Sequence, residues 1–362
     1  MIAWILLILS FASSNIYKFS FWSPDVKVSL LDCTVLVLTI LGLRVKRVEH
    51  RLILPILVFF SLGVLSLVLA IPNYGVSAVA VGAMYLLRWV IYSLFFLSLI
   101  RLFKARELGQ VILSLGLVTT LVGLGQYLFY PDIRNLQVAE WDPHYFRVVG
   151  SWLDPGFTGI ILVFTLIYLT LNPFKNRLIN LLTWPASYLT FALTYSRSSY
   201  LAFLVGMAWI AWKVKGWRFF IKMAILLGVT VLILPRAPGG EGVKLERTNS
   251  IQSRIDSWTT AWRIFTQHPV LGVGFNVYRY AQGASLKSHA GAGADSSLLF
   301  VAATTGIAGF VAYLWYLKRL YTLSSTHLTL QATLVALLVH SLFLNSLFYP
   351  AVMVWMSLLV LL

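Results

Sequence analysis

Long apolar runs, separated by short polar segments, repeat along almost the whole chain. A helix that crosses a bilayer needs about 20 mostly apolar residues, and most of the runs approach that length. We therefore predict an all-α polytopic membrane protein with about twelve transmembrane helices, some of them tilted or broken because their runs are short. The twelve runs are Ile2–Tyr17, Val28–Leu43, Leu52–Ile71, Ser77–Ile100, Leu108–Tyr130, Pro155–Leu171, Leu178–Tyr195, Ser199–Trp212, Phe219–Pro235, Ser297–Leu317, Leu328–Leu344 and Phe348–Leu362.

One polar interruption is much longer than the others and divides the chain into three parts. Residues 236–294 contain no run that could cross a bilayer, and a connection of this length is either functional or disordered. We predict transmembrane helices 1–9 in residues 1–235, an extracytoplasmic lid loop in residues 236–294, and transmembrane helices 10–12 in residues 295–362.

The middle of the long loop has the pattern of an amphipathic helix. At about 100° per residue, its apolar residues form a stripe within roughly 40° of a common centre. We expect the stripe and the bordering Arg254 to face the outer surface of the helix bundle, and Arg263 to face water. The alternative is an interfacial helix that only anchors the loop to the membrane. The stripe consists of Ile251, Ile255, Trp258, Trp262 and Phe265.

Composition and charge support a membrane protein and orient it. Hydrophobic residues make up 59% of the chain and charged residues 11%, against about 45–50% and about 25% in soluble domains. With a cytoplasmic N-terminus, fifteen of the 28 Lys and Arg residues lie in inner loops and only five in short outer loops. We therefore predict a multi-pass protein of the cytoplasmic (inner) membrane with both termini cytoplasmic. The net charge of +16 then reflects topology, and no nucleic-acid partner is expected.

Two arginines are not explained by this charge distribution. Arg88 lies near the middle of its run, where a charge costs at least about 2.5–3.5 kcal/mol, so it requires a partner or a wet cavity. Asp32 is the nearest acid by depth, and the alternatives are an Arg88–Asp32 pair or contact with an anionic ligand. Arg197 lies in a sharp outer turn, where it either snorkels to lipid headgroups or reaches a polar site.

Other polar residues lie on the predicted outer side. Asp295 opens the tenth run, where it is either a helix N-cap with a pKa lowered by the helix dipole or a general base. His289 precedes it by six residues and is placed to reach the same pocket, whereas hydrogen bonding between helices is the simpler explanation for His340. Weaker candidates for the lining of the pocket are Arg147, Arg263, Tyr195 and His340.

Some kinds of chemistry have no support in the sequence. It has no P-loop, no Rossmann glycine pattern, no H-E-x-x-H motif and no pair of acids with metal-ligand spacing. The single cysteine, Cys33, lies in an apolar run, which excludes an intramolecular disulfide and a cysteine-rich metal site. We therefore predict no cofactor and no required metal.

Four features in this order resemble the O-antigen ligase family, a membrane superfamily that also includes O-antigen and capsule polymerases. The first is a set of about twelve apolar runs with one long outer loop late in the chain, and the others are three motifs. The resemblance extends from near residue 80 to near residue 350. The motifs are Arg197-x-x-x-Leu201, Arg254–Trp258 followed by His268–Gly274, and Asp295-Ser296 followed after nine residues by Gly306-Ile307-Ala308-Gly309.

The last motif departs from the family at its first position. The family usually has His there, which is thought to be the catalytic base, whereas this chain has Asp295. We take Asp295 as the first candidate for the base and His289 as the second. Another acceptor or loss of activity are the remaining alternatives. Gly306 and Gly309 predict a face for close helix packing.

The resemblance implies a reaction and its substrates. Members take a glycan from a polyprenyl (undecaprenyl) pyrophosphate and transfer it to a hydroxyl of a glycan or glycolipid acceptor outside the cytoplasmic membrane. The resemblance implies that Arg88, Arg197 and Arg254 bind the pyrophosphate in place of a metal, and that the anomeric carbon is inverted. It does not separate ligase from polymerase. The competing hypotheses are a lipid or glycan flippase or transporter without transferase activity, and a structural assembly protein.

Overall fold

The computed structural model describes residues 2–13, 15–42, 51–139, 142–237, 240–283, 293–323 and 327–362. This part of the chain forms thirteen α-helices and one two-stranded sheet. The elements are α1 (Ile2–Ser13), β1 (Lys18–Phe21), β2 (Ser23–Ser29), α2 (Leu30–Gly42), α3 (Ile53–Leu102), α4 (Ala105–Phe129), α5 (Pro155–Leu171), α6 (Arg177–Ala192), α7 (Arg197–Ile210), α8 (Trp217–Ile233), α9 (Asn249–Gln267), α10 (Tyr278–Ala281), α11 (Ser297–Leu323), α12 (Leu328–His340) and α13 (Pro350–Leu359).

Every predicted apolar run contains a helix, which confirms the mostly helical fold. The count of twelve membrane crossings stays a prediction. Within the described ranges, α3, α4 and α11 are the helices whose length and composition suffice to cross a bilayer, and several other apolar helices have only 10–17 residues.

Helix α3 is two helices joined at a single residue. Gly75 has φ 79° and ψ 164°, a backbone conformation that is essentially restricted to glycine. The two halves run antiparallel and pack against each other. This is shown by the rings of Phe59 and Trp89, which lie 4.7 Å apart, and by the Leu67 side chain, which abuts Gly82. The third and fourth predicted runs therefore form a tight antiparallel pair, and Arg88 lies in the second half.

The two strands are a departure from the all-α prediction. Strands β1 and β2 pair antiparallel, with Trp22 at the turn in a left-handed conformation (φ 62°). Sequence analysis assigned the second strand partly to the second apolar run. The segment alternates polar and apolar residues, but only over four or five positions in each strand, and its outward-facing side chains are exposed. This hairpin matters because it forms one wall of the cavity described below.

The core lies where helices are apolar on all sides. Helices α5, α7, α12 and α13 pack together, and α5 and α13 have nearly all their residues buried. A helix without a polar face is expected to be surrounded by protein or lipid, which accounts for this central position. These helices form the rigid frame behind the polar cavity.

Helix α11 is interrupted at Gly306, where the segment that follows α9 enters its hydrogen-bond ladder. Gly306 has φ 62° and ψ −167°, so the hydrogen-bond ladder of the helix is interrupted there. Residues 269–274 lie against residues 303–308, and four backbone hydrogen bonds join the two segments. The four bonds run from Val273 N to Ala303 O (3.1 Å), from Gly274 N to Thr304 O (3.0 Å), from Ile307 N to Pro269 O (2.8 Å) and from Ala308 N to Val270 O (3.3 Å).

This insertion satisfies the backbone groups that a broken helix leaves free, which is obligatory inside a membrane. The Ser66 hydroxyl adds contacts to the carbonyl oxygens of Leu271 (2.6 Å) and Thr304 (2.8 Å). A side chain at Gly306 or Gly272 would collide with the opposite backbone at 2.3 Å. The glycine motif was predicted to serve helix packing. Gly306 instead admits the backbone of a non-helical segment.

We expect Gly306→Ala to destabilise the protein strongly. The backbone strain alone costs about 1–3 kcal/mol, and the added methyl group would collide with the main chain of Val270. Thermal unfolding of the purified protein measures the effect. Gly125→Ala in α4 is the matched control, because nothing lies within 4 Å of the added carbon there. Equal stability of the two variants would contradict the proposed role of the break.

Helix α9 confirms the predicted amphipathic helix but not the predicted buried face. Ala261 and Ile264 are buried against α11, and Arg254 is half-buried on the same side. Ile255 and Trp262, which belong to the predicted stripe, are exposed. The inward orientation of Arg254 and the exposure of Arg263 agree with the prediction, whereas the packing of the whole stripe was wrong.

Candidate functional site

A polar cavity of about 470 Å³ lies between the β1–β2 hairpin, α3 and the starts of α5 and α11. Four carboxylates and three cations line it: Asp25, Asp142, Asp154 and Asp295, and Lys18, Arg88 and Arg279. Asn345 lies on the same wall with its buried side-chain oxygen unpaired in the described structure. The cavity therefore offers acids, cations and an amide to a polar ligand of roughly the size that small-molecule pockets accept, about 300–1,000 Å³.

Asp295 faces the cavity and does not cap its own helix. The hydroxyl oxygen of Ser296 accepts from Leu299 N at 3.4 Å, so the neighbouring residue takes the capping role. The backbone N–H of Asp295 donates to the Ser257 hydroxyl of α9 (3.0 Å), which ties the start of α11 to the lid. Among the described residues no hydrogen-bond donor contacts the Asp295 carboxyl.

The electrostatic surroundings of Asp295 are also the reverse of the prediction. Burial raises the pKa of the Asp295 carboxyl, Arg254 opposes that shift, and the charge of Asp154 adds to it. The helix dipole was expected to lower this pKa. It does not dominate, because burial removes water that would otherwise solvate the charge. A raised pKa makes Asp295 a stronger base.

Asp154 is another cavity acid that sequence analysis did not select. It is the N-cap of α5, where one carboxylate oxygen accepts from Gly156 N (2.7 Å) and Phe157 N (2.8 Å). Burial raises the pKa of Asp154, and the two backbone hydrogen bonds oppose that shift. The Asp-Pro pair before an apolar run signals a helix start, but nothing in the sequence places that start beside Asp295.

Arg254 of α9 is close enough to Asp295 for their charges to interact, although it does not line the cavity. It lies on the inward side of α9, with its guanidinium 5.9 Å from the centre of the Phe343 ring. Burial lowers the pKa of Arg254, and the negative charge of Asp295 opposes that shift. Arg197 is close enough to repel it, so two of the three predicted arginines do lie near each other.

Arg197 has a different role from the predicted one. Its guanidinium donates to the carbonyl oxygens of Leu245 and Arg247, both at 3.1 Å, and to the Ser250 hydroxyl at 2.5 Å. Leu245 and Arg247 precede α9, Ser250 lies in its first turn, and Arg197 does not line the cavity. Arg197 therefore attaches α7 to the beginning of α9, and it neither snorkels to headgroups nor faces the cavity.

Arg147 and Tyr195 support this attachment. Arg147 is buried and donates to the carbonyl oxygens of Thr194 (3.0 Å) and Tyr195 (3.2 Å), and burial lowers its pKa to about 9, so it stays charged at neutral pH. Tyr195 has a left-handed backbone (φ 49°), and its hydroxyl donates to Pro235 O (2.5 Å). Arg247, which sequence analysis missed, also reaches Tyr195 O at 3.4 Å. Arg147 and Tyr195 thus have structural roles. They were predicted to line the pocket, but they do not line the cavity.

Arg88 forms the pair that was one of its two alternatives, and its contact with an anionic ligand stays a prediction. It pairs with Asp32 at 3.0 Å, also contacts the Lys27 carbonyl, and lines the cavity. The neighbouring charges that the structure shows for it are Asp32 and Lys18, on the hairpin side. The three predicted arginines thus do not converge in the cavity: Arg88 lines it, whereas Arg254 lies on α9 and Arg197 lies at the start of α7.

Two other predicted residues, His340 and Arg263, do not line the cavity. His340 is fully buried and contacts the hydroxyls of Ser346 (2.6 Å), Ser198 (3.3 Å) and Ser199 (3.3 Å), so the interhelical hydrogen bonding favoured for it is what the structure shows. Arg263 is exposed on α9 and does not line the cavity. His289 lies outside the described residues.

We expect Arg197→Ala to loosen the beginning of the lid without unfolding the bundle. The change removes three hydrogen bonds between α7 and residues 245–250. Hydrogen exchange of that segment should accelerate, while the core helices stay protected. Arg263→Ala is the control, because an exposed arginine on the same lid should leave the exchange unchanged. Unchanged exchange in both variants would contradict the anchoring role.

Comparison with known proteins agrees with the resemblance found in the motifs. No curated protein matches the chain. Residues 181–314 match the family model described as O-antigen ligase, a segment that contains Arg197, α9 and the Asp295–Gly309 motif. The long apolar helices and this match together indicate a membrane protein. Residues 181–314 of the chain are thus similar in sequence to the O-antigen ligase family.

Proposed function

We propose that this protein is a membrane glycosyltransferase that moves a glycan from a polyprenyl-pyrophosphate donor to an acceptor hydroxyl on the outer side of the cytoplasmic membrane. The observation that carries the proposal is the Asp295 carboxyl. It lines a polar cavity, has a raised pKa and is coupled to Arg254 of the lid. A base beside a cation is what the reaction requires, because a proton must leave the acceptor while negative charge grows on the leaving group.

In the proposed step, Asp295 accepts the proton of the acceptor hydroxyl. The hydroxyl oxygen forms a bond to the anomeric carbon as the bond from that carbon to the pyrophosphate oxygen breaks. The electron pair stays on the polyprenyl pyrophosphate, and Arg254 stabilises its charge with a fork of donors that suits phosphate. Arg88 also lines the cavity, where it can bind another anionic or polar group of the substrates. A single displacement inverts the anomeric carbon, and these residues alone suffice for it without a metal.

The test is incubation of the purified protein with a defined polyprenyl-pyrophosphate glycan and a glycan or glycolipid acceptor, followed by mass spectrometry. The expected products are free polyprenyl pyrophosphate and an acceptor extended by the glycan. Comparison of a glycolipid acceptor with a second lipid-linked glycan distinguishes ligase from polymerase. Movement of the lipid-linked glycan between leaflets of a vesicle, with no product formed, would refute the transferase in favour of a flippase.

A further inference from the structure

The surface of the lid helix has three sectors, where a simple lid would have two. At about 100° per residue, the buried residues Ala261 and Ile264 and the half-buried Arg254 share one side of α9. The polar residues Asp256 and Arg263 lie on roughly the opposite side and are exposed. These two sectors account for attachment to the bundle and contact with water.

The third sector is apolar and exposed, and it lies between the other two. Ile251, Ile255 and Trp262 fall within about 40° of each other around the helix. Ile251 and Ile255 are each 45% exposed and Trp262 is 57% exposed. A helix covered by water on its outer side would gain nothing from large apolar side chains there, because their exposure costs free energy. This apolar sector therefore requires a partner that is neither the bundle nor water.

The position of the far end of α9 identifies the partner. The segment that follows α9 enters the ladder of α11 at Gly306, nine residues from the start of that helix. At 1.5 Å per residue this is about 14 Å along α11. The end of α9 therefore lies beside α11, a helix that is long and apolar enough to cross the membrane.

Exposed apolar side chains continue from the lid onto that helix. Val270 is 63% exposed, and its carbonyl accepts from Ala308 N at 3.3 Å. Ile307 and Val311 of α11 are exposed beside it. The face of a spanning helix that carries exposed aliphatic residues is the face that lipid covers. The apolar sector of α9 and this face of α11 therefore adjoin the same medium.

From this geometry we propose that α9 lies in the headgroup region of the outer leaflet, with Ile251, Ile255 and Trp262 in contact with bilayer lipid. An interfacial helix of this kind buries its apolar side by about 5–10 Å into the boundary between headgroups and acyl chains. The lid is then a membrane-bound element at the edge of the bundle. Arg254, on the border between the buried and lipid-facing sectors, is held at the depth of lipid phosphates, whether or not the protein is a transferase.

Spin labels at adjacent residues test the proposal with matched positions. In a Cys33→Ser background, the lipid-facing variants are Ile255→Cys and Trp262→Cys, and the water-facing controls are Asp256→Cys and Arg263→Cys. In phospholipid nanodiscs, we expect the ratio of oxygen to nickel-chelate accessibility to be higher at 255 than at 256 and higher at 262 than at 263. A high nickel accessibility at all four positions would overturn the proposal, because the lid would then stand in water.

Two further outcomes complete the test. Protection of 255 and 262 from both reagents would also overturn the proposal, because protein such as a second copy of the chain would then cover the sector. For the unmodified protein, a photoreactive phospholipid should crosslink to the peptide that contains Ile251, Ile255 and Trp262. Crosslinks found on the transmembrane helices and absent from this peptide would refute lipid contact without relying on any variant.

Discussion

Asp295→Asn is expected to reduce glycan transfer by about 100- to 10,000-fold, the usual contribution of a general base. The amide has nearly the shape of the carboxyl but cannot accept a proton, so substrate binding should change little. The stability of the fold should not fall either. Burial raises the pKa of Asp295, which means that the folded protein disfavours the charged form at neutral pH. The measurements are product formation by mass spectrometry and thermal unfolding.

The pH dependence of the unmodified protein follows from the same group. Asp295 acts as a base only when ionised, so transfer should decline as the pH falls through the raised pKa, and it should stay high above it. Asp256→Asn on the exposed side of α9 is the control and should leave the profile unchanged. If Asp295→Asn transferred glycan at the normal rate, the base would have to be another group, and His289 is the next candidate.

Arg254→Ala is expected to lower transfer by about 100- to 1,000-fold, as for removal of one donor that stabilises transition-state charge. The reason is that Arg254 carries a positive charge on the inward side of the lid close enough to Asp295 for the two charges to interact. Single-turnover kinetics with the lipid-linked donor should show that the chemical step is slowed. Arg254→Lys should restore only part of the rate, because an ammonium group lacks the planar fork of a guanidinium.

A second effect separates Arg254 from a merely structural residue. Without its positive charge the pKa of Asp295 should rise further, since Arg254 opposes the upward shift. The acidic limb of the pH profile should therefore move to higher pH in Arg254→Ala. An unchanged pH profile together with a normal rate would remove Arg254 from the site.

The helical fold and the lid helix were predictable because both depend on local periodicity. Apolar runs and the 3.6-residue pattern of α9 are visible without any tertiary information. The face on which α9 packs was not predictable, because Ala261 and Ile264 lie among larger apolar residues around the helix. Sequence analysis expected the stripe to face the outer surface of the helix bundle and gave an interfacial membrane helix as the alternative.

The grouping of side chains could be anticipated only in part. Asp295 and Arg254 follow from motif order, but the pKa of Asp295 depends on burial and on Asp154, which is 141 positions away in the chain. Arg197 looked like a ligand-binding arginine because carbonyl partners leave no trace in a sequence. The exchange of hydrogen bonds at Gly306 is equally invisible, since it needs two segments in register.

The two ends of α9 are attached in different ways, and this asymmetry limits how the site can open. The segment that follows its far end is hydrogen-bonded to the main chain of α11, whereas its near end is held by side chains such as Arg197. Any flap-like motion must therefore pivot about residues 269–274, with the near end travelling farthest. Arg254 would move away with it while Asp295 stays on the bundle. The movement that admits a new substrate would therefore also separate Arg254 from Asp295.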